Sequence, residues 1–235
     1  NLSGLPAYSS FDLNYTNPLT NATTLDQIGN SDLKWETTTD VNLGLDLAFL
    51  DNRMKFTVDV YKKNTKDLLQ IIYFPGFSKP YYYNAGEIEN KGLELGINTR
   101  NFTGDFKWNS SFNISFNDNK VVALGLLKKL PFQNLNSLGE SVILLTEGSS
   151  LGSFYGYKVD KVDPATGALL YKDTNEDGSI TPADRTNIGN PNPKYTFGLS
   201  NDFSYKGFSL DALITGSKGG DIFNASRMDL TLMNN

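Results

Sequence analysis

The chain lacks several residue types, and each absence excludes a class of chemistry. There is no cysteine and no histidine among its 235 residues. Disulfides, thiolate nucleophiles, Ser-His-Asp triads and the usual zinc sites are therefore excluded. No run approaches the roughly 18 apolar residues that a membrane-spanning helix requires. The net charge of -5 and the lack of clustered basic residues argue against nucleic acid as the main partner.

The beginning of the chain carries no recognisable targeting segment. It starts at Asn1, without a basic n-region or an apolar h-region. We therefore expect any signal peptide to lie upstream of this sequence, which is then a fragment of a longer chain.

The dominant pattern is a period-two alternation of apolar and polar residues, which is typical of antiparallel strands. Val41, Leu43 and Leu45 fall on one face of such a segment, whereas Asn42 and Gly44 fall on the other. The alternation recurs in pairs of segments joined by short polar turns. It predicts three hairpins, over residues 38–66, 88–117 and 194–215.

The connections between these hairpins are long, over residues 67–87 and 118–193, and exceed the roughly 2 to 6 residues of ordinary connections. A soluble β-sandwich with one buried face and a membrane barrel with one face in lipid both give this alternation. Predicted strands of about 10 to 13 residues and the asymmetry of loop length favour the barrel. Aromatic residues near the short turns also favour it, as an interfacial girdle: Phe49, Phe102, Phe106, Phe203, Tyr205 and Phe208.

One twelve-residue segment, 173–184, fits a calcium loop. Gly178 permits the sharp turn, and the loop departs from an EF-hand in ending on Asp and in containing Pro182. The alternative is an Asn/Asp/Gly-rich turn that holds no metal, and in both cases the role is structural. The predicted ligands of a structural Ca²⁺ are Asp173, Asn175, Asp177, Ser179, Thr181 and Asp184.

Tyr81, Tyr82 and Tyr83 place aromatic surface in the first long loop, where it could stack on sugar rings or pack on a partner. Packing within the loop itself is the alternative. Two pairs of carboxylates, Glu87 with Glu89 and Asp160 with Asp163, match a glycosidase dyad only in residue type. We interpret them as solvated charges, so the sequence predicts no catalytic residue and no enzyme.

Several motifs together carry a resemblance to a known family. They are Leu33-Lys34-Trp35-Glu36-Thr37, Tyr83-Asn84-Ala85-Gly86-Glu87, Asn90-Lys91-Gly92-Leu93-Glu94, Glu147-Gly148, Gly152-Ser153-Phe154-Tyr155-Gly156-Tyr157 and Ile188-Gly189-Asn190-Pro191-Asn192-Pro193-Lys194-Tyr195. In content and order they resemble the C-terminal part of the β-barrel of a SusC/RagA-type TonB-dependent outer-membrane transporter.

The resemblance implies an all-β fold, namely a segment of an antiparallel transmembrane β-barrel of about 22 strands, plugged from within and carrying long extracellular loops. It implies import of oligosaccharides or peptides across the outer membrane of Bacteroidota. The expected partners are outer-membrane lipid, a SusD-like lipoprotein and TonB, which would act through a plug region outside this chain. A secreted, soluble, calcium-stabilised β-domain that binds carbohydrate is the alternative.

Overall fold

The computed structural model describes residues 15–16, 23–24, 30–73, 80–134 and 141–227. They form an antiparallel β structure with one turn of 3₁₀ helix, Pro182–Asp184. Within this part of the chain, no helix is long and apolar enough to cross a membrane. The strands are β1 Tyr15–Thr16, β2 Thr23–Thr24, β3 Thr37–Phe49, β4 Met54–Lys66, β5 Leu69–Ile72, β6 Tyr81–Asn84, β7 Glu87–Thr103, β8 Phe106–Ala123, β9 Lys129–Asn134, β10 Ser141–Thr146, β11 Phe154–Gly156, β12 Val159–Val162, β13 Leu169–Tyr171, β14 Thr186–Gly189, β15 Pro193–Tyr205 and β16 Phe208–Gly219.

The largest unit is a six-stranded sheet in the order β16-β15-β8-β7-β4-β3, in which every neighbouring pair is antiparallel. It is open, with β3 and β16 at its edges. Short turns join its hairpins at one end. Lys206 and Gly207, for example, both adopt positive φ (45° and 86°), as a tight two-residue hairpin turn requires.

The central hairpin is longer than the alternation predicts. β7 has 17 residues and β8 has 18, and β8 continues to Ala123 instead of ending near residue 117. The alternation of apolar and polar residues does not reveal this extension, because Asp118, Asn119 and Lys120 place polar side chains on both faces of the strand. The connection predicted as a loop over 118–193 therefore begins only after Ala123, and it contains six further strands, β9 to β14.

One face of the six-stranded sheet is apolar from edge to edge. Each apolar residue lies beside the next one across the strands, because all five ladders hold the same face in register. One such row is Leu47, Phe56, Ile97, Phe112, Leu199 and Ile214, and the next contains Leu45, Val58, Leu95, Ile114 and Phe197. No second sheet covers this face in the described part of the chain, and Leu43 remains 75% exposed. Within the described residues this apolar face is therefore uncovered.

Aromatic rings gather on this face near the short turns. Trp108 lies 5.8 Å from Phe102 and 5.7 Å from Phe203, measured between ring centroids. Phe106 adds contacts to both phenylalanines at 5.9 and 6.4 Å. This cluster is what an aromatic girdle at a membrane interface requires.

The opposite face is polar and carries small residues. Gly92, Gly96 and Asn113 lie on it, in rows that contain asparagine, serine, threonine and isolated charges. The buried apolar residues lie away from the middle of the sheet, where the long connections meet its far end. They are Tyr83, Val121, Leu124, Val142 and Leu144.

Candidate ligand- and partner-facing loops

The two long connections leave the sheet at the end opposite the short turns. The first contains the hairpin β5–β6, and the second contains a four-stranded sheet, β14-β11-β10-β9, and the hairpin β12–β13. Loops held on a rigid sheet are where proteins place their binding residues. We therefore take this end of the molecule as the candidate functional site.

Asn84 fixes the first connection to the segment that precedes β3. Its side-chain oxygen accepts the backbone N–H of Lys34 at 2.6 Å, and its amide nitrogen donates to the carbonyls of Lys34 and Asp67, both at 2.8 Å. Glu36 adds a second link by accepting the N–H of Leu69 at 2.9 Å. Two motifs far apart in the sequence, 33–37 and 83–87, thus meet in one hydrogen-bonded joint.

The three tyrosines of the first connection do not form one flat platform. Successive residues of β6 point to opposite faces, so Tyr81 and Tyr83 share a face and stack on each other at 6.2 Å, whereas Tyr82 lies on the other face. Tyr83 is buried and donates its hydroxyl to Gln70 at 3.0 Å, and burial raises the pKa of Tyr83. Tyr81 and Tyr82 are partly exposed.

The second connection is fastened to the polar face of β8. Asn119, which is buried, accepts the hydroxyl of Ser150 and the N–H of Leu151, both at 2.7 Å. Asn192, just before β15, donates to Ser150 at 3.1 Å and to the carbonyl of Leu151 at 2.9 Å. Residues 149–151 therefore lie between the end of β8 and the beginning of β15, which stiffens the loop on the sheet.

The four-stranded sheet forms a cavity of about 250 Å³ that the sequence did not reveal. The guanidinium of Arg185 lies 5.2 Å from the centre of the Tyr155 ring, and the ammonium of Lys129 lies 5.9 Å from the same ring. Arg185 also donates to the carbonyl of Ser141 at 3.0 Å. Tyr155 belongs to the motif at residues 152–157, but only the pairing of β11 with β14 brings Arg185 beside it.

The first half of the predicted calcium loop is a set of side-chain-capped turns. Asp173 accepts the N–H groups of Asp177 at 3.3 Å and of Gly178 at 2.7 Å. Asp177 accepts the N–H of Ser179 at 2.9 Å and the side-chain amide of Asn175 at 2.8 Å. These contacts order the backbone of the loop around residues that are themselves exposed.

Asp184 closes the loop from inside. It is fully buried, and its two oxygens accept the N–H groups of Thr174 and Thr181, both at 2.8 Å. Thr181 in turn caps the 3₁₀ turn by accepting the N–H of Ala183. The hydrogen bond from the N–H of Thr181, and then that from Thr174, lowers the pKa of Asp184 despite its burial. No group of three or more carboxylates among the described residues is arranged to hold a metal ion, and Ca²⁺ stays a prediction.

The paired carboxylates are held by contacts of a structural kind. Glu89 lies 2.8 Å from the ammonium of Lys62, and Glu87 lies 3.7 Å from that of Lys66. Asp163 accepts the N–H of Ala165 at 2.9 Å and the hydroxyl of Thr166 at 2.8 Å. These bonds, that from Ala165 first, lower the pKa of Asp163.

A large antiparallel sheet with one uncovered apolar face, a polar face opposite, and long ordered loops at one end defines a transmembrane β-barrel segment. The family model for the TonB dependent receptor-like β-barrel matches residues 4–229. The chain belongs to this family, whose barrels lie in the outer membrane, and the expected fold class and localisation are confirmed. The soluble carbohydrate-binding alternative is not retained.

Individual relatives agree with this assignment. The chain is 37% identical over 230 residues to TonB-dependent receptor P3 of Formosa agariphila, covering 89% of the chain and 23% of that protein. It is 30% identical over 207 residues to TonB-dependent receptor SusC of Bacteroides thetaiotaomicron, covering 83% of the chain and 20% of the relative. The chain thus spans about a quarter or less of these curated relatives.

A solved structure shares the fold. The chain aligns with a chain in the structure of the RagAB peptide transporter with a TM-score of 0.69 and 27% identity, covering 83% of this chain and 22% of that one. The resemblance to SusC and RagA drawn from the sequence motifs is therefore confirmed.

Proposed function

We propose that the full-length protein imports oligosaccharides or peptides across the outer membrane by gated, TonB-dependent transport, without bond chemistry. The observation that carries this proposal is the family match over residues 4–229, on a sheet whose apolar face is suited to lipid and whose polar face is suited to a wet lumen. TonB would act through a plug region outside this chain.

We further propose that a SusD-like surface lipoprotein caps the loop end. Two similar proteins support it, the SusC receptor and the RagAB peptide transporter. In this chain Asn84 fixes the first long connection to the segment before β3, and Asn119 fixes the second to β8, so both offer an ordered surface to a cap. An ordered surface loses less conformational entropy when a partner binds.

Within the tyrosine triplet, Tyr81 and Tyr82 are the residues we propose to contact substrate or cap. They are partly exposed, whereas Tyr83 is buried beneath the stacked ring of Tyr81. An aromatic face can stack on a sugar ring or pack against an apolar peptide side chain.

Growth of a strain that lacks the gene tests the proposal. The strain is supplied with single oligosaccharides or peptides as carbon source and is complemented with the full-length gene. We expect at least one substrate to support growth only when the complementing gene is present. A complementing gene without its TonB-contacting segment should not restore growth on that substrate. Unchanged growth of the deletion strain on every substrate would overturn the proposal.

A variant pair then tests the loop surface. Tyr81→Ala with Tyr82→Ala should slow growth on that substrate, whereas Tyr205→Ala, at the short-turn end, should not. Both proteins must reach the outer membrane in equal amounts, measured by immunoblot. Equal growth with both variants would mean that Tyr81 and Tyr82 do not contact the substrate or the cap.

A further inference from the structure

The apolar face of the six-stranded sheet changes to a charged one near the loop end. One row across β3, β4, β7 and β8 reads Val41, Lys62, Lys91 and Asp118, and the next reads Thr39, Asn64, Glu89 and Lys120. We call these outward-facing charges, with their neighbours, the outer charged belt. It consists of Lys62, Lys66, Lys91, Lys120, Lys218, Glu87, Glu89 and Asp118.

The belt lies at a depth that matches the headgroups of one leaflet. On β8, Trp108 of the aromatic girdle and Asp118 of the belt are ten residues apart on the same face. At about 3.4 Å per residue and a tilt of about 40°, this separation spans about 25 Å along the membrane normal. That is about the height of the apolar band of outer-membrane barrels. The long loops lie on the belt's side, which places the belt in the external leaflet.

The belt is net positive on an acidic chain. It contains five lysines and three carboxylates, whereas the whole chain has a net charge of -5. Ion pairs hold three of the lysines, with Lys62 2.8 Å from Glu89, Lys91 3.4 Å from Asp118 and Lys66 3.7 Å from Glu87.

These ion pairs leave the lysines available to a second partner. The side chains of Lys62, Lys66 and Lys91 are 61%, 59% and 57% exposed. An ammonium group has three N–H donors, and one carboxylate partner does not occupy all of them. The carboxylates therefore position the lysine stems, and each ammonium group keeps donors for a second partner.

We propose that the outer charged belt binds the phosphate groups of lipids in the external leaflet. Charge complementarity and continuity with the lipid-facing apolar rows both favour a phosphorylated lipid over a protein partner. The ligand class is a phosphomonoester or phosphodiester on a lipid headgroup. Each lysine near an anionic lipid surface strengthens binding about fivefold.

The test uses the purified full-length protein and a variant with Lys62→Gln, Lys91→Gln and Lys120→Gln. Lys63→Gln is the matched control, because Lys63 follows Lys62 in the chain but lies on the polar face, in the row with Asp40 and Asn90. Detergent micelles are doped with a phosphorylated lipid or with the same lipid after phosphatase treatment. Bound lipid is counted by native mass spectrometry.

We expect the triple variant to bind the phosphorylated lipid about 100-fold more weakly, since three fivefold losses multiply. Lys63→Gln should bind like the wild type, and Lys→Arg at the three positions should retain binding. Equal binding by the triple variant, or equal binding of the dephosphorylated lipid, would overturn the proposal. Displacement of the lipid by millimolar inorganic phosphate would also overturn it, because the site would then be one for free phosphate.

Two further controls keep the outcome clear. A folded barrel changes its mobility on gel electrophoresis when it is heated. If the triple variant shows no such shift and so has not folded, Lys91→Gln alone replaces it, with an expected loss of lipid affinity of about fivefold. Lipid binding is measured without transport, so a failure of the uptake experiment does not affect this test.

Discussion

The phenol end of Tyr61 on β4 occupies the space beside Gly92 on β7 that a Cβ on Gly92 would fill. Its hydroxyl continues to β8, where it donates to the side-chain oxygen of Asn117 at 3.1 Å. One side chain thus ties three strands together on the polar face.

A double-mutant cycle at these two positions tests the contact. In the wild-type background Gly92→Ala should push the Tyr61 ring off the wall and break its hydrogen bond, which costs about 1 kcal/mol. In the Tyr61→Ala background the same change should be neutral or stabilising by about 0.5 to 1 kcal/mol, because alanine restricts the unfolded chain. The temperature of the heat-induced mobility shift of the full-length protein reports both effects. Additive effects would mean that the two residues do not interact.

The two faces of the sheet should respond differently to charge. Ile114 and Asn113 are adjacent in β8 and lie on opposite faces. Ile114→Arg should destabilise the barrel by about 2 to 4 kcal/mol if its side chain lies near the middle of the lipid band, whereas Asn113→Arg should have a far smaller effect. Refolding yield into lipid vesicles at increasing urea measures the difference. Equal tolerance at both positions would contradict the assignment of the lipid-facing side.

Asn84 should be more important for loop order than Asn30. Asn84→Ala leaves three backbone groups without their partner, whereas Asn30→Ala removes one bond, to the carbonyl of Tyr82 at 2.9 Å. Each unsatisfied group costs about 1 to 3 kcal/mol if it stays buried. We expect protease to cut residues 67–86 much faster in Asn84→Ala, with a smaller increase in Asn30→Ala. The reverse order would be incompatible with Asn84 as the joint.

Asp184 should make the order of loop 173–184 dependent on acid pH. Its pKa is lowered from the ordinary value of 3.8, so the ionised form stabilises the folded loop. That stabilisation is complete above pH 3.8 and is lost as the pH falls through the lowered pKa. Protection of the loop amides against hydrogen exchange, corrected for the intrinsic rate at each pH, should therefore fall below pH 3.8 in the wild type. In Asp184→Asn the loop should exchange faster at neutral pH and show no such step.

Calcium is tested at the same loop. If Ca²⁺ binds as predicted, adding it should slow proteolysis of residues 173–184 in the full-length protein, and EDTA should reverse the effect. Asp173→Asn with Asp177→Asn should abolish the response, because neutral amides are poorer ligands for Ca²⁺ than carboxylates. A wild-type loop that is indifferent to Ca²⁺ would leave the sequence motif as a hydrogen-bonded turn.

The sequence alone determined the antiparallel strands and their apolar face. A period of two is a local property of the backbone, so Val41, Leu43 and Leu45 identify β3 without any knowledge of their neighbours. The motif around Asn84 likewise pointed to the family. The alternation did not distinguish a sandwich from a barrel, because burial against protein and burial in lipid select the same side chains.

Only the tertiary structure decided which distant residues meet. The pairing of β11 with β14 places Arg185 over Tyr155, and the joint between Lys34 and Asn84 connects residues 50 positions apart. The stacking of Tyr81 on Tyr83, and the burial of Asp184 behind backbone N–H groups, are also visible only in three dimensions. The physical reason is that strand register and loop packing depend on contacts between segments, whereas a sequence pattern records only the preference of each segment for a face.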